Sequence, residues 1–214
     1  MEPARSAHIA ASAFDYVDIN KVIVPGCSYG RNSLYFAKND LEVLGIDSSP
    51  VAIDMAKEIA EKERLEITYE VGNVYQLPYK DGSFEAIFDR GLLHLMMRAE
   101  RRLAVSEYKR VLSKEGILFL TAFSIEDEQY GKGLELEEDT FDSMDGRPAH
   151  FFNKNRMSEI LSGWHIAKMT PLEETENHGS GQHNHSFLIV VATPDKNEVS
   201  DKLVDLPLKD LSRA

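Results

Sequence analysis

Val22-Ile23-Val24-Pro25-Gly26-Cys27-Ser28-Tyr29-Gly30-Arg31-Asn32-Ser33 is the stretch on which the rest of the chain turns. Its three consecutive β-branched residues, without helical spacing, predict a buried strand. Pro25 and Gly26 stop that strand. Gly26 and Gly30 bracket a tight loop, and Asn32-Ser33 open an apolar helical run, Leu34-Tyr35-Phe36-Ala37. Strand, glycine loop and helix together aim backbone N–H groups and a helix N-terminus at a ligand that carries oxygens.

Three ligand classes use such a loop. A Walker loop needs a Lys after its last glycine, and Arg31 follows Gly30. A dinucleotide loop needs glycines at its first, third and sixth positions, and here these are Gly26, Ser28 and Arg31. The third is the S-adenosylmethionine (SAM) loop, where glycines let the backbone pass close to the methionine and ribose of the ligand. The loop alone also fits an α/β turn that binds nothing.

The chain has 214 residues, 43% of them hydrophobic, and a net charge of −12. That size suits one domain with a sizeable core. The acidic balance argues against a general nucleic-acid binder and leaves room for a small acceptor. The single cysteine, Cys27, excludes an internal disulfide and a multi-cysteine zinc site, and suits a reducing cytoplasm. No stretch reads as a secretory signal or a membrane span. Residues 1–20 show no clear period. Ile9 to Tyr16 allow either a short helix over a pocket or a loose arm, and the arm is the preferred reading.

The remaining chain alternates. Val43, Leu44 and Ile46 predict a second strand that ends at Asp47. Asp47 lies one helix and one strand beyond Gly26, so its carboxylate should sit beside the glycine loop, where it can accept both hydroxyls of a ribose. Asp47-Ser48-Ser49-Pro50 is also turn chemistry. Ser49 caps the next helix with Pro50 at its first position. A third strand ends at Gly72-Asn73-Val74. Asn73 can read an adenine edge or simply form a turn. A fourth strand, Phe84 to Asp89, is followed by Arg90, Gly91 and His94, at the edge where an open α/β sheet places its chemistry. Asp89 and Arg90 are also readable as a structural ion pair, and His94 as a core histidine. A fifth strand, Ile117 to Phe123, precedes the acidic segment 124–150, either a solvated loop or a cover for the pocket. Two last strands joined through residues 173–185 predict an antiparallel hairpin. His178, His183 and His185 lie in that connection without a suitably placed acidic ligand, so no metal is expected. The tail 194–214 reads as peripheral.

Taken together, the motifs over roughly Lys21 to Thr193 resemble a class I SAM-dependent methyltransferase. Cys27 to Tyr35 is similar to the loop of the tellurite-resistance methyltransferases. Val24-Pro25-Gly26-Cys27 and Phe88-Asp89-Arg90 are similar to the thiopurine methyltransferases. The resemblance implies an α/β, Rossmann-like sheet of seven strands, five parallel and a terminal antiparallel hairpin, over a domain spanning 21–193. It assigns Gly26, Cys27, Ser28 and Gly30 to the SAM loop and Arg31 and Asn32 to the methionine end. Asp47 takes the ribose with Ser48 beside it, and Asn73 and Val74 take the adenine. Asp89 and Arg90 lie next to the methionine and the methyl group. Val24, Ser28 and Asn73 depart from the commoner Asp, Gly and Asp. For the acceptor, a small molecule that includes thiol, selenium or tellurium species, the steering or proton-transferring residues are Arg90, His94 and His150, with Arg147 as a further cation. A SAM-binding module without turnover and a nicotinamide-dependent oxidoreductase are the alternatives. The resemblance leaves the oligomeric state open.

Overall fold

The computed structural model describes residues 2–142, 146–178 and 181–206, with backbone alone at 176–178 and 181–182. The elements run α1 (Arg5–Tyr16), β1 (Lys21–Pro25), α2 (Arg31–Lys38), β2 (Glu42–Asp47), α3 (Pro50–Glu63), β3 (Thr68–Val71) and β4 (Phe84–Arg90). A 3₁₀ turn (Leu93–Leu95), α4 (Arg98–Val111) and β5 (Leu112–Phe123) follow. Then come β6 (Glu135–Glu137), β7 (Thr140–Asp142), β8 (Pro148–His150), α5 (Lys154–Ile160), β9 (His165–His178), β10 (Gly181–Thr193) and α6 (Glu198–Val204).

The main sheet has the order β3-β2-β1-β4-β5-β10-β9. Its first five strands are parallel, and β10 runs antiparallel to both β5 and β9. This is the seven-stranded α/β sheet with a terminal hairpin that the alternation predicts. Side chains of period two sort to its faces. Val22, Val24, Ala86, Phe88, Ile117 and Phe119 pack under α1, α2, α3 and α6. Ile23, Ile87, Leu118 and Leu120 pack under α4 and α5. Burial on both faces is why these strands read as apolar runs.

Three segments differ from expectation. Residues 5–16 are a helix in the core, not a loose arm: Ile9, Ala10, Ala13 and Phe14 are fully buried. Its other buried residues, Ser6 and Ala7, are small like Ala10 and Ala13, which made the apolar stripe faint in the sequence. The start of the tail is also packed, with Leu203 and Leu206 buried against the same layer; residues 207–214 lie outside the description. The 124–150 segment carries a small antiparallel sheet, β6-β7-β8. It leaves and rejoins the end of β5, where Ser124 bridges Phe152 and the Phe152 N–H donates to the Phe123 carbonyl at 2.7 Å. Its acidic residues are partly tied down: Glu137 pairs with Arg101 at 2.8 Å, and Glu138 pairs with Arg156.

Candidate active site

The carboxyl ends of β1, β2 and β3 converge on the loop 26–30. Gly26, Ser28 and Gly30 have φ of +63°, +51° and +82°. A Cβ at Gly30 would overlap the Tyr69 hydroxyl, and one at Gly26 would press on Leu92 at 3.0 Å. The loop is therefore packed closely underneath, with Ser28 and Tyr29 exposed above. Asp47 holds it. The Ser28 N–H donates to Asp47 Oδ2 at 2.9 Å, and the Ser49 N–H donates to Oδ1 at 2.9 Å. These two donors orient a carboxylate that keeps further acceptor capacity.

Cys27 takes part through its backbone, its N–H donating to the Ile46 carbonyl at 3.2 Å. Its thiol points into the protein, and burial, reinforced by the charge of Asp47, pushes it up to about 12. Ser48 and Asn73 are exposed at the same edge, and Val74 is buried. Asn73 Oδ1 accepts from the Tyr75 N–H at 2.8 Å. Both the turn and a residual hydrogen-bonding capacity are therefore present in one side chain. Asn32 Oδ1 accepts from the Ala4 N–H at 3.0 Å. Arg31 lines a surface concavity of about 250 Å³ with Pro3, Leu34, Tyr35 and Ile59. Both α2 residues thus turn toward the start of α1.

Asp89 does not face the ligand edge. It is wholly buried; Oδ1 accepts from the Leu92 N–H at 2.9 Å, and Oδ2 accepts from the Tyr108 hydroxyl at 2.9 Å. The contact expected with the methionine is not available to this side chain, which instead latches the turn after β4 onto α4. Burial pushes its carboxyl up from 3.8 to about 6, against three hydrogen bonds that lower it. Native Asp89 thus keeps its proton to a higher pH than the unfolded chain, and the stability it contributes is full below pH 3.8 and lost as pH rises through about 6. Urea midpoints across that window should show this slope in wild type and not in Asp89→Asn; parallel profiles would remove the assignment.

Arg90 is expected as a steering cation, but Glu174 of β9 pairs with it at 3.2 Å, and its guanidinium lies 5.1 Å from the Phe187 ring. Most of its charge is matched locally. His94 Nδ1 accepts from the Phe123 N–H at 3.2 Å, and its ring stacks on Phe123 at 3.9 Å. Burial first, then the charge of Arg90, pushes it well below the usual imidazole range. With Nδ1 accepting, the proton lies on Nε2, so His94 is a neutral donor and not the base the sequence allows. His150 Nδ1 lies 2.7 Å from Thr140 Oγ1, and burial, with Arg101 and Arg98 nearby, pushes it down to about 3.

One pair was missed. His185 Nδ1 lies 3.0 Å from Asp127 Oδ2, both side chains being buried. An acidic partner is therefore well placed for His185, contrary to the sequence reading. Among the described residues no group of three His, Cys, Asp or Glu is arranged to hold a metal. The side chain of His178 lies outside the description.

The sequence profile of the methyltransferase domain family matches residues 23–120. This stretch is therefore similar to methyltransferase domains. It holds the glycine loop, Asp47, Asn73 and the strand that carries Asp89 and Arg90. An uncharacterised methyltransferase of Synechocystis is 32% identical over 100 residues, which cover 47% of this chain and 45% of that relative. The match thus spans less than half of that relative. A SAM-dependent methyltransferase of Methanosarcina mazei superposes with a TM-score of 0.73 at 22% identity, covering 83% of this chain and 93% of the other. The 1,6-didemethyltoxoflavin-N1-methyltransferase of Burkholderia thailandensis, solved with that compound and S-adenosylhomocysteine (SAH), gives 0.67 at 16% identity, over 89% and 79% of the two chains. At these identities the likeness is one of fold: the chain shares the α/β, Rossmann-like sheet of those proteins.

Proposed function

We propose that the chain is a SAM-dependent methyltransferase that acts on a small-molecule acceptor. The observation that carries this reading is the 2.9 Å hydrogen bond from Ser28 to Asp47, which joins the glycine loop to an oriented carboxylate. The donor set fits the cofactor: Asp47 can accept ribose hydroxyls, the exposed backbone at Ser28 and Tyr29 can meet the methionine portion, and Asn73 with Val74 can take the adenine. Gly26, Gly30 and the Cys27 backbone keep the loop close, and Ser48 lies beside Asp47.

When bound, SAM supplies an electrophilic methyl group on a sulfonium sulfur. The chain has to hold donor and acceptor in line and exclude water. His94 offers a neutral N–H to an acceptor, Arg90 is held in place by Glu174, and His150 and the 124–150 segment wall the same edge. Arg31 and Asn32 fix the loop from α2. The Burkholderia protein is a methyltransferase with 1,6-didemethyltoxoflavin bound, which supports a small acceptor here, as does the net charge of −12, which disfavours nucleic acid. The motif likeness to tellurite-resistance and thiopurine methyltransferases makes thiol, selenium and tellurium species the acceptors to test first. A free Cys27 favours a reducing cytoplasm. Among the described residues no helix is long and apolar enough to cross a membrane.

The test is a thermal-shift comparison of SAM, SAH and NAD, followed by SAH release with a thiol, selenide, tellurite and phenol panel. Stabilisation by SAM and SAH, together with release for one acceptor class, is expected. Preferential stabilisation by NAD would return the chain to the oxidoreductases. SAM binding with no release across the panel would favour a module without turnover.

A further inference from the structure

We propose that the groove between α4 and the turn after α5 is a second binding site, for a small organic anion that carries a flat apolar ring. The site lies apart from the glycine loop and does not depend on what that loop binds.

The groove has a volume of about 440 Å³, the size of a small-molecule site. Val105 of α4, Ile160 of α5 and Trp164 form its apolar wall. Arg102, Lys109 and Arg110 of α4 form its polar side. Residues 102, 105 and 109 follow at spacings of three and four, so they share one stripe of the helix. Among the described residues no Asp or Glu lines the groove. That reverses the balance of a chain with 36 acidic and 24 basic residues. A cleft lined by one sign of charge focuses the field, so a small anion is drawn here despite the net charge of −12.

The three cations differ in what they have left to give. Arg110 spends all five N–H donors: on both oxygens of Glu107, on Asp81, and on the carbonyls of Leu77 and Tyr79. It is part of the wall. Lys109 donates to the Gly163 carbonyl, a neutral acceptor that leaves its charge unmatched and two donors in hand. Arg102 is exposed and makes no ion pair or hydrogen bond among the described residues. Two unmatched cations therefore flank the groove, about two helical turns apart.

Trp164 accounts for the ring. Its indole is half-buried, and Lys109 Nζ lies 6.0 Å from the ring centroid. A ligand ring laid against Trp164, Val105 and Ile160 takes apolar surface out of water on both sides. Its anionic group then meets Arg102 and Lys109 through charge-assisted hydrogen bonds. The groove is separate from the cofactor edge. The α4 helix covers the sheet face opposite α2, and Lys109 stands in its last turn, just before β5 begins.

Trp164 is the one tryptophan of the chain, so its emission reports on this groove alone. Titration with phenyl phosphate should change that emission saturably, with a Kd of about 1 mM or tighter. Inorganic phosphate lacks the ring and benzyl alcohol lacks the charge, and each should bind at least about tenfold more weakly. Arg102→Gln and Lys109→Gln should each weaken phenyl phosphate about tenfold. Arg102 is exposed, so its variant keeps the fold even where Lys109→Gln, which loses the Gly163 contact, does not. No saturable change in wild type up to about 10 mM, or an unchanged Kd in Arg102→Gln, overturns the site. Inorganic phosphate binding as tightly as phenyl phosphate overturns the ring-bearing ligand.

Discussion

Replacing Asp47 with alanine is expected to weaken SAM and SAH binding about thirtyfold or more, a loss of roughly 2 kcal/mol. Two losses combine in that figure. The ribose hydroxyls would lose a charged acceptor. The loop would also lose its tie, because the Ser28 and Ser49 N–H groups both end on this carboxylate. Ser28 sits at φ +51°, where a residue with a side chain needs such support. The fold should survive, since Asp47 is at the strand's end and outside the core. Calorimetry gives the affinity, and thermal unfolding of the free protein shows that the variant is intact. Equal affinity in wild type and Asp47→Ala would eliminate the ribose role.

The largest effect on stability is expected at Phe14. This side chain is fully buried, with Phe36 at 5.8 Å and Phe119 at 6.4 Å between ring centroids. Phe14→Ala removes its buried apolar surface and leaves a cavity under α1, which costs about 3–5 kcal/mol. For a chain of this size that corresponds to a fall in Tm of about 10 °C. The variant should also loosen the site, because the start of α1 donates to it. The Ala4 N–H reaches Asn32, and the Arg5 N–H reaches Glu174 at 2.7 Å, the carboxylate that pairs with Arg90. Urea unfolding measures the first effect and SAH titration the second. A wild-type unfolding midpoint in Phe14→Ala would mean that α1 is a separable arm after all.

Much of this protein is local in origin, and that part was legible. The β-branched run Val22 to Val24, the glycines at 26 and 30, and the acid at the end of the next strand each act through their own few residues. Period and turn chemistry therefore determined the sheet, its terminal hairpin and the meeting of the loop with Asp47. The helix at 5–16 was nearly legible, but alanines bury too little surface to stand out as a stripe.

The chemistry of the acceptor side was not local. Whether Arg90 is a steering charge depends on Glu174, which lies 84 residues away in sequence. Whether His94 is a base depends on the Phe123 N–H, 29 residues away, and that bond makes it a donor. Asp89 looked like a ligand contact because it ends a strand, and the Tyr108 hydroxyl on α4 turned it inward. Asp127 and His185 are 58 residues apart, one in an acidic segment and one in a histidine-containing hairpin. Each reads alone as a solvated side chain. Tautomer, charge state and pairing belong to neighbours brought together by the fold, so the sequence by itself determined which residues to consider, and the tertiary structure decided how those residues pair.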